Sequence, residues 1–454
     1  MTTRKLTISP HKLRLGMFVA DLDRSWDGTP FPLQGILVSD PRQITYLRQL
    51  CREVVVDVDR SSADSVEHLP DMPLDSSDTH NGRRARRSVF GFNFSQWMRA
   101  WWERTVGSLF GGRSVKHQSV TRLAGMPADI ELVAYQDTKT FEEAIGPARE
   151  AYREIEATMK MVMGNLAEKR EISVEVLSIA ATELVESVAI NPEAMMWLTR
   201  MREQNVRTYE HSVQVAIYMI TFGRHLGYPP ANLQKLCMIG LLLDIGMTRV
   251  DNALLEREGP LSESEEAEIR RHVEYSLEML ANSPDVDPEV REAIAEHHER
   301  IDGSGYPLGL KGHDTSFAGR MVAIADTFAT LTSQRPYAEA LSAFKSMKVL
   351  SEGAGTVFHE ALVEQFVQAI GLFPVGSLVE LSSGEVAAVV SHNKIRRLKP
   401  RVLVLTDVKK RPLDTPFELN LLLDPKDSND DALRIWRGLP AGAYGVNGRD
   451  YFLK

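Results

Sequence analysis

Two adjacent histidines, His297 and His298, end a segment whose apolar residues recur at helical spacing. Val290, Ala293 and Ile294 precede them at i, i+3 and i+4, which predicts both imidazoles on the buried face of a helix. Neutral imidazole is the commonest metal ligand in proteins, and two on one buried face indicate a metal centre. The alternative is one histidine hydrogen-bonded in the core and another on the surface, so the choice depends on further ligands elsewhere in the chain.

Four more side chains that can bind a metal lie on apolar helical stripes of other segments. In chain order these are His211, Asp244, His272 and Asp326. Any one of them alone is better explained as a hydrogen-bonded polar residue of the core. Burying an imidazole or a carboxylate without a partner is costly, however, and convergence of all of them on shared cations would remove that cost. The recurrence therefore predicts one shared site, formed together with the histidine pair.

A tight loop follows the histidine pair. The string from 297 to 307 reads HHERIDGSGYP, in which Gly303 and Gly305 can take a positive φ and Pro307 closes the turn. It resembles the HHExxDGxGYP signature of HD-GYP proteins, a branch of the HD superfamily of metal-dependent phosphohydrolases, and the likeness extends over residues 200–370. The resemblance implies an all-α domain that binds cyclic di-GMP and, where the site is complete, hydrolyses it to pGpG or GMP. The alternative for the loop is a rigid turn that fixes two helices.

The resemblance also implies roles for individual residues. The implied metal ligands are His211, Asp244, His272, His297, His298 and Asp326. Asp244, which would bridge two cations, and Asp302 are the implied catalytic residues, while Gly305, Tyr306 and Arg335 are implied to bind substrate. A member of the family would hold two or three divalent cations, with iron or manganese expected, and a bridging water would attack the phosphodiester phosphorus.

Four positions depart from the family pattern. A string resembling LLHDIGK is expected at 241–247, but the chain reads LLLDIGM, so Leu243 replaces a histidine and Met247 replaces a lysine. Arg207 stands where members with three cations carry glutamate, and Ala338 stands where a basic residue is common. Leucine cannot bind a metal, and loss of one preorganised electrostatic donor typically costs ~10²–10³-fold in rate. We therefore expect weak or absent turnover, and a site that holds one cation or none.

Two functions from different classes follow from these residues. The first is a metal-dependent phosphodiesterase that cleaves cyclic di-GMP, with its rate impaired at Leu243 and Met247. The second is a catalytically inactive module that binds the dinucleotide or a protein partner, either a second copy of the chain or another signalling protein. The intact loop is compatible with both.

The elements that must position these residues are predicted to be mainly helical. The expected fold class is mainly α, a helical HD-type metal-dependent phosphohydrolase domain flanked by small β-rich N- and C-terminal modules. The predicted divisions are a β-rich module at 1–60, a basic and aromatic linker at 61–136, a connecting helix at 137–171, the HD-GYP domain at 172–372, and a small β appendage with a tail at 373–454. The connecting segment is equally explained as a core helix of the domain.

Short strands are expected in the two flanking modules. They are predicted at 13–19, 35–38, 54–58, 378–381, 385–390 and 402–405, with a short terminal strand at 451–453 and a helical piece at 44–51. Through the strings LRLGMFVA and WDGTPFPLQG, the first module resembles the small N-terminal domain of unknown function that precedes some HD-GYP domains. That likeness implies no ligand.

The composition limits which partners and which cellular compartment are expected. A net charge of −9 argues against general DNA binding, and the two cysteines, Cys51 and Cys237, fit a reducing cytoplasm. No stretch approaches the ~18–20 apolar residues of a membrane helix. Trp97 and Trp101 share one face of a basic segment within 90–110, which predicts either peripheral contact with an anionic membrane or, as the preferred alternative, docking on another domain or a second chain.

Overall fold

The structure, a computed structural model, divides into two compact units, Met1–Trp102 and Glu103–Lys454. It describes residues 5–23, 36–38, 44, 47–48, 51–58, 61 and 63–66 of the first unit. In the second unit it describes residues 122–446, apart from 171, 202–207, 258, 282, 284, 336–338, 394–395, 397 and 428–429. The predicted aromatic helix near Trp97 and the predicted terminal strand at 451–453 therefore lie outside the described residues.

The first unit contains a small antiparallel sheet. Its elements are β1 (Lys5–Ile8), β2 (Phe18–Leu22), β3 (Ile36–Leu37), β4 (Val54–Asp57) and a short helix, α1 (Ala63–Val66). The strands are arranged in the order β1-β4-β2-β3. Alternate residues of β4, Val54 and Val56, are fully buried with Val19 of β2, as the two-residue period of a half-buried strand requires.

The strand predictions for this unit are partly correct. The strands predicted at 35–38 and 54–58 are found as β3 and β4, whereas the one predicted at 13–19 is wrong over its first five residues. There the chain turns at Gly16, whose φ of 89° belongs to the left-handed region, and β2 begins only at Phe18. β1 was not predicted, because four residues give too short a pattern to distinguish from a loop.

The second unit begins with a series of helices. They are α2 (Phe141–Ala167), α3 (Val174–Ile190), α4 (Pro192–Met201), α5 (Thr208–His225), α6 (Pro230–Leu242), α7 (Asn252–Leu255), α8 (Glu263–Arg270), α9 (His272–Ala281), α10 (Pro288–Glu296), α11 (Phe317–Thr332), α12 (Ala343–Glu352) and α13 (Glu360–Ile370). A short 3-10 helix, Ile245–Arg249, follows α6. Among the described residues, no helix is long and apolar enough to cross a membrane.

The long helix α2 begins at a capping box. Glu143 N–H donates to Thr140 Oγ1 at 3.3 Å, and Thr140 N–H donates back to Glu143 Oε2 at 2.9 Å, which satisfies two amides that the first helical turn leaves open. Residues such as Ala148, Ile155 and Met159 are fully buried along one stripe of α2. The predicted helical segment is thus found, with one apolar face packed into the unit.

Helices α5 and α6 pack closely because one of them carries glycine at the contact. A Cβ on Gly240 would lie 2.4 Å from both the N and the Cα of Ala216, so only hydrogen fits there. Below this contact, Tyr218, Phe328 and Phe366 form an aromatic cluster with ring centroids 5.2–6.4 Å apart, which joins α5 to α11 and α13. This core holds α5 and α11, which carry His211 and Asp326, against α13.

The chain then forms a second antiparallel sheet. Its strands are β5 (Leu378–Leu381), β6 (Val386–Ser391), β7 (Arg401–Thr406), β8 (Pro412–Asn420) and β9 (Ile435–Gly438), in the order β8-β7-β6-β5-β9. The strands predicted at 378–381, 385–390 and 402–405 are found, whereas β8 and β9 were not predicted. The predicted fold class, a helical HD-type domain flanked by β-rich modules, is confirmed.

We predict that Gly240→Ala lowers the free energy of unfolding by about 1–3 kcal/mol, because the added methyl group must push apart two backbones. Gly164→Ala in α2 is the matched control, since nothing lies within 4 Å of its added Cβ. That change should stabilise the protein by about 0.5–1 kcal/mol through the helix preference of alanine. Urea unfolding followed by circular dichroism measures both, and equal stabilities for the two variants would contradict the close packing of α5 on α6.

Candidate metal centre

Helix ends and one helix interior carry the six predicted ligands. His211 is on the first turn of α5, and Asp244 directly precedes the 3-10 helix after α6. His272 begins α9, His297 and His298 follow the last residue of α10, and Asp326 lies in the middle of α11. All are buried or nearly so. The structure therefore brings to one place side chains that are up to 115 residues apart in the chain.

His272 lies at the centre of one half of the cluster. Its Nε2 is 3.2 Å from the Nε2 of His297, 3.2 Å from the Nε2 of His298 and 3.3 Å from Oδ1 of Asp244. The ligand atoms of the three histidines all lie within 4.8 Å of one another, close enough to share one metal ion.

The second half of the cluster is formed around Asp326. Its Oδ1 is 2.8 Å from the Nε2 of His211, and its Oδ2 is 4.0 Å from Nδ1 of His298. Nε2 of His211 is also 3.7 Å from Oδ2 of Asp244, so the two halves are connected through both carboxylates. All six side chains that the sequence predicts as ligands thus belong to one continuous group.

The tautomers of two histidines leave lone pairs facing each other. Nδ1 of His272 is 2.7 Å from the carbonyl oxygen of Ile269, and Nδ1 of His297 is 2.6 Å from that of Ile294. A carbonyl oxygen only accepts, so Nδ1 carries the proton in both rings, and Nε2 of each neutral ring is bare. Two bare nitrogens 3.2 Å apart cannot hydrogen-bond to each other. A cation between them would satisfy both, which is the arrangement of metal-binding histidines whose second nitrogen bonds to a carbonyl.

Burial favours the neutral form of the histidine pair. It lowers the pKa of His297 and lowers that of His298 well below the ordinary value, and the neighbouring imidazoles act in the same direction. Burial alone would raise the pKa of Asp326, but the hydrogen bond from His211 and the nearby imidazoles outweigh it and lower that pKa. Neutral imidazoles beside an ionised carboxylate form a donor set that fits a divalent cation.

Ser276 fixes Asp244 relative to His272. Its hydroxyl donates to the carbonyl oxygen of Leu243 at 2.9 Å and accepts from Gly246 N–H at 2.9 Å. A Cβ on Gly246 would lie 2.1 Å from the carbonyl oxygen of His272, so the turn packs directly on the start of α9. The sequence analysis did not identify Ser276, although it is a buried polar residue on the same stripe as His272.

Glu299 holds the loop after the histidine pair. Its Oε1 accepts from the amides of Leu308 and Gly309 at 2.7 and 3.1 Å, and its Oε2 accepts from that of Leu310 at 3.0 Å. The residue is only 2% exposed. One carboxylate thus replaces solvent for three backbone donors, which gives the loop a fixed path across the cluster.

Gly305 and Tyr306 lie against the cluster. A Cβ on Gly305 would be 2.5 Å from backbone atoms of His298, Glu299 and Arg300, which explains glycine at this position on packing grounds. The ring of Tyr306 stacks on that of His298, with centroids 4.6 Å apart and planes inclined by 26°. Tyr306 therefore covers one face of the His298 ring.

The other two predicted site residues have contacts elsewhere. Asp302 is exposed and its Oδ1 accepts from Ser304 N–H at 2.9 Å, which caps the turn. The Nη2 of Arg335 donates to Thr330 Oγ1 at 2.9 Å. The described contacts do not join either residue to the six clustered side chains, so a catalytic role for Asp302 and a phosphate contact for Arg335 remain predictions.

Leu243 occupies the position where the resemblance expects a histidine. It is fully buried, and its apolar side chain offers no ligand atom. Two other described histidines contact different groups: Nε2 of His225 is 3.0 Å from Gln365 Oε1, and Nδ1 of His392 is 3.3 Å from Glu193 Oε1. Neither replaces the missing imidazole. Of the other departures, Met247 is half-buried, while Arg207 and Ala338 lie outside the described residues.

The helical fold and the cluster of histidines with two aspartates define a protein of the HD type, and known families match it. The family described as HD domain matches residues 193–362, and a domain of unknown function, DUF3391, matches residues 5–177. The second match confirms the predicted N-terminal likeness and extends beyond residue 60 to include α2. Residues 193–362 thus form an HD domain that also carries the HD-GYP signature in its loop.

Curated relatives match only part of this chain. It is 35% identical over 229 residues to the cyclic di-GMP phosphodiesterase PA4108 of Pseudomonas aeruginosa, covering 50% of this chain and 55% of that protein. It is 33% identical over 167 residues to 3'3'-cGAMP-specific phosphodiesterase 3 of Vibrio cholerae, covering 37% and 36%. It is 34% identical over 147 residues to the cyclic di-GMP phosphodiesterase response regulator RpfG of Xanthomonas campestris pv. campestris, covering 32% and 39%. The matched part spans little more than half of the first relative and less of the others.

We predict that Glu299→Gln loosens the loop at 308–310. The glutamine amide would point a donor at a backbone donor, which costs about 1–3 kcal/mol where the site is buried. Hydrogen exchange at the amides of Leu308, Gly309 and Leu310 should therefore become faster. Glu292→Gln, an exposed change on α10, is the control and should leave these rates unchanged. Unaltered exchange in the Glu299 variant would mean that the loop is held by other contacts.

Proposed function

We propose that this chain binds cyclic di-GMP through its HD-GYP domain and hydrolyses it to pGpG or GMP in a metal-dependent reaction, with turnover impaired by Leu243 and Met247. The observation that carries the proposal is the convergence of bare Nε2 atoms of His272 and His297 beside Asp244. The names of the relatives, which are cyclic dinucleotide phosphodiesterases, support the same substrate class.

The clustered residues would hold iron or manganese. His272, His297 and His298 would supply nitrogen ligands, and Asp244 would supply an oxygen between them and His211. Such an ion provides Lewis-acid polarisation of a phosphoryl oxygen and a nucleophile at neutral pH. The protein's own contribution is preorganisation, since the carbonyl oxygens of Ile269 and Ile294 orient two of the rings before any ligand binds.

The loop would receive the dinucleotide above the cluster. Tyr306 covers His298, and the absence of a side chain at Gly305 keeps the loop close to the histidine backbone. Arg335 is proposed to contact a phosphate, as the resemblance implies. Binding would place a phosphodiester next to the clustered side chains. Holding the reacting groups in the correct orientation would then supply much of the rate increase.

Impairment follows from what Leu243 and Met247 lack. Loss of an outer-shell partner of a metal ligand typically costs ~10–100-fold in metal affinity or activity, so loss of a direct ligand should cost at least as much. Loss of the lysine ammonium removes a cation that would offset charge on the phosphate oxygens. These losses are not strictly additive, but both act on the chemical step.

The second candidate is a binding module without turnover. The observation in its favour is the contrast between the two parts of the site. The loop keeps all three hydrogen bonds to Glu299 and the stack of Tyr306 on His298, whereas the ligand position at Leu243 is lost. Such a module would relay dinucleotide binding to a protein partner, or to a second copy of the chain, through the flanking β modules.

We predict that Leu243→His combined with Met247→Lys raises both metal content and cyclic di-GMP turnover, because the double change restores one ligand and one cation. Metal analysis and a turnover assay with added Mn²⁺ or Fe²⁺ measure the two quantities. The matched control is Leu243→Ile with Met247→Lys, which conserves core volume and the new ammonium but adds no imidazole. Metal content should rise only in the histidine variant.

The same turnover assay, paired with a calorimetric titration of cyclic di-GMP into the unmodified protein, separates the two candidates. Slow turnover by the unmodified protein that increases in the double variant supports an impaired enzyme. Dinucleotide binding without turnover in the unmodified protein supports the binding module. Robust turnover by the unmodified protein would refute the impairment, and no rise in either metal content or turnover would show that these two positions do not face the cluster.

A further inference from the structure

A stack of three side chains connects the solvent to the histidine cluster. Arg270, the last residue of α8, has its guanidinium carbon 4.9 Å from the ring centroid of Tyr306. Tyr306 in turn stacks on His298 at 4.6 Å. The side chain of Arg270 is 49% exposed and that of His298 is 19% exposed, so the charge lies at the outer end of the stack. The sequence analysis assigned no role to Arg270.

Charges of opposite sign act on the phenol of Tyr306. Burial raises the pKa of Tyr306, the charges of Asp326 and Asp244 raise it further, and Arg270 and Arg300 act to lower it. Arg270 is half-exposed, whereas the carboxylates of Asp244 and Asp326 are buried. A ligand that covers Tyr306 would meet the positive charge before it meets the carboxylates.

Neighbouring arginines are held by other partners. Arg300 donates to the carbonyl oxygen of Glu299 at 2.8 Å and lies 5.3 Å from the ring of Phe358. Arg249 pairs with Glu278 at 2.5 Å. Arg249 also lies over the ring of Tyr275, 5.6 Å from its centroid, whereas the described ring contact of Arg270 is with Tyr306.

Arg270 itself is held only weakly. It pairs with Glu266 at 2.5 Å across one helical turn, and both side chains are about half exposed. Exposed pairs of this kind contribute little to stability and are screened by salt. The guanidinium can therefore exchange its carboxylate partner for a phosphate at small cost, while its planar fork suits two phosphate oxygens better than an ammonium does.

We propose that Arg270 is a substrate-binding residue that contacts a phosphate of the cyclic dinucleotide above Tyr306 and supplies the positive charge that Met247 does not. This assignment rests on the proposed function of the domain. It would explain how a site without the lysine of the HD motif keeps affinity for a dianionic ligand.

Arg270→Ala and Arg271→Ala form a matched pair for the test. Both remove one exposed positive charge at the same helix end, but Arg271 pairs with Glu268 and Glu274 and lies 4.7 Å from the ring of Tyr275. Titration of the full chain with cyclic di-GMP by calorimetry measures Kd. We expect Arg270→Ala to weaken binding about 10–100-fold, as for loss of a hydrogen-bonded charge, and Arg271→Ala to leave it within about twofold.

Two further readouts separate phosphate contact from a structural role. Arg270→Lys, which keeps the charge but loses the fork, should bind with intermediate affinity. The dependence of Kd on salt should become shallower in Arg270→Ala but stay as in the unmodified protein in Arg271→Ala, because only the first removes a charge at the ligand. Circular dichroism should show the same helical content for all variants.

The outcomes distinguish this inference from the proposed function. If the unmodified protein binds cyclic di-GMP and the two alanine variants bind equally well, Arg270 has no role in binding and the proposed function stands. If the unmodified protein shows no binding, the proposed function is wrong and the assignment of Arg270 is wrong with it. Weaker binding in Arg270→Ala with an unchanged salt dependence would also overturn the phosphate contact.

Discussion

The helical domain depends on one electrostatic requirement, which is that the buried Nε2 atoms of His272 and His297 need a partner. His272 and His297 use the same local device, since each donates its Nδ1 proton to a carbonyl oxygen three residues earlier, that of Ile269 or Ile294. Both rings are thereby turned so that their Nε2 lone pairs face inward. A cation between the two rings would compensate this arrangement, because burial makes an unpaired polar atom expensive. The surrounding fold must hold it against that cost.

Small contacts between helix ends supply this support. Gly240 lets α6 approach α5, and Gly246 lets the following turn rest on the start of α9. At the end of α10, Glu296 accepts from Ser316 N–H at 2.8 Å and from its hydroxyl at 2.5 Å, which ties that end to the first turn of α11. Burial raises the pKa of Glu296 above its ordinary value. The cluster is thus positioned by glycines and buried hydrogen bonds more than by the apolar stripes alone.

The sequence allowed prediction of the side chains that cluster but not of the residues that support them, for a physical reason. A buried histidine on an apolar stripe, such as His211, breaks a regular period and is therefore visible in the chain. Glu299 contacts the backbone of the loop at 308–310, and Arg270 contacts the ring of Tyr306. Contacts between separate segments leave no periodic pattern in the sequence. The same limit applies to β8, which contains Pro412 and Pro416. Its edge position leaves one side of the strand without ladder bonds, so prolines that argue against a central strand are tolerated there.

The two carboxylates explain why loss of one imidazole need not abolish the site. Asp244 and Asp326 each contact histidines on both sides of the cluster, so neither carboxylate depends on position 243 for a partner. Two carboxylates also balance the charge of one divalent cation among neutral imidazoles. A second cation would add two positive charges without a further carboxylate to balance them, and it would lack the imidazole that Leu243 replaces. The close group of His272, His297 and His298 therefore favours a single ion on its side of the cluster. On the proposed function, Leu243 would reduce the number of ions held more than it disrupts the fold.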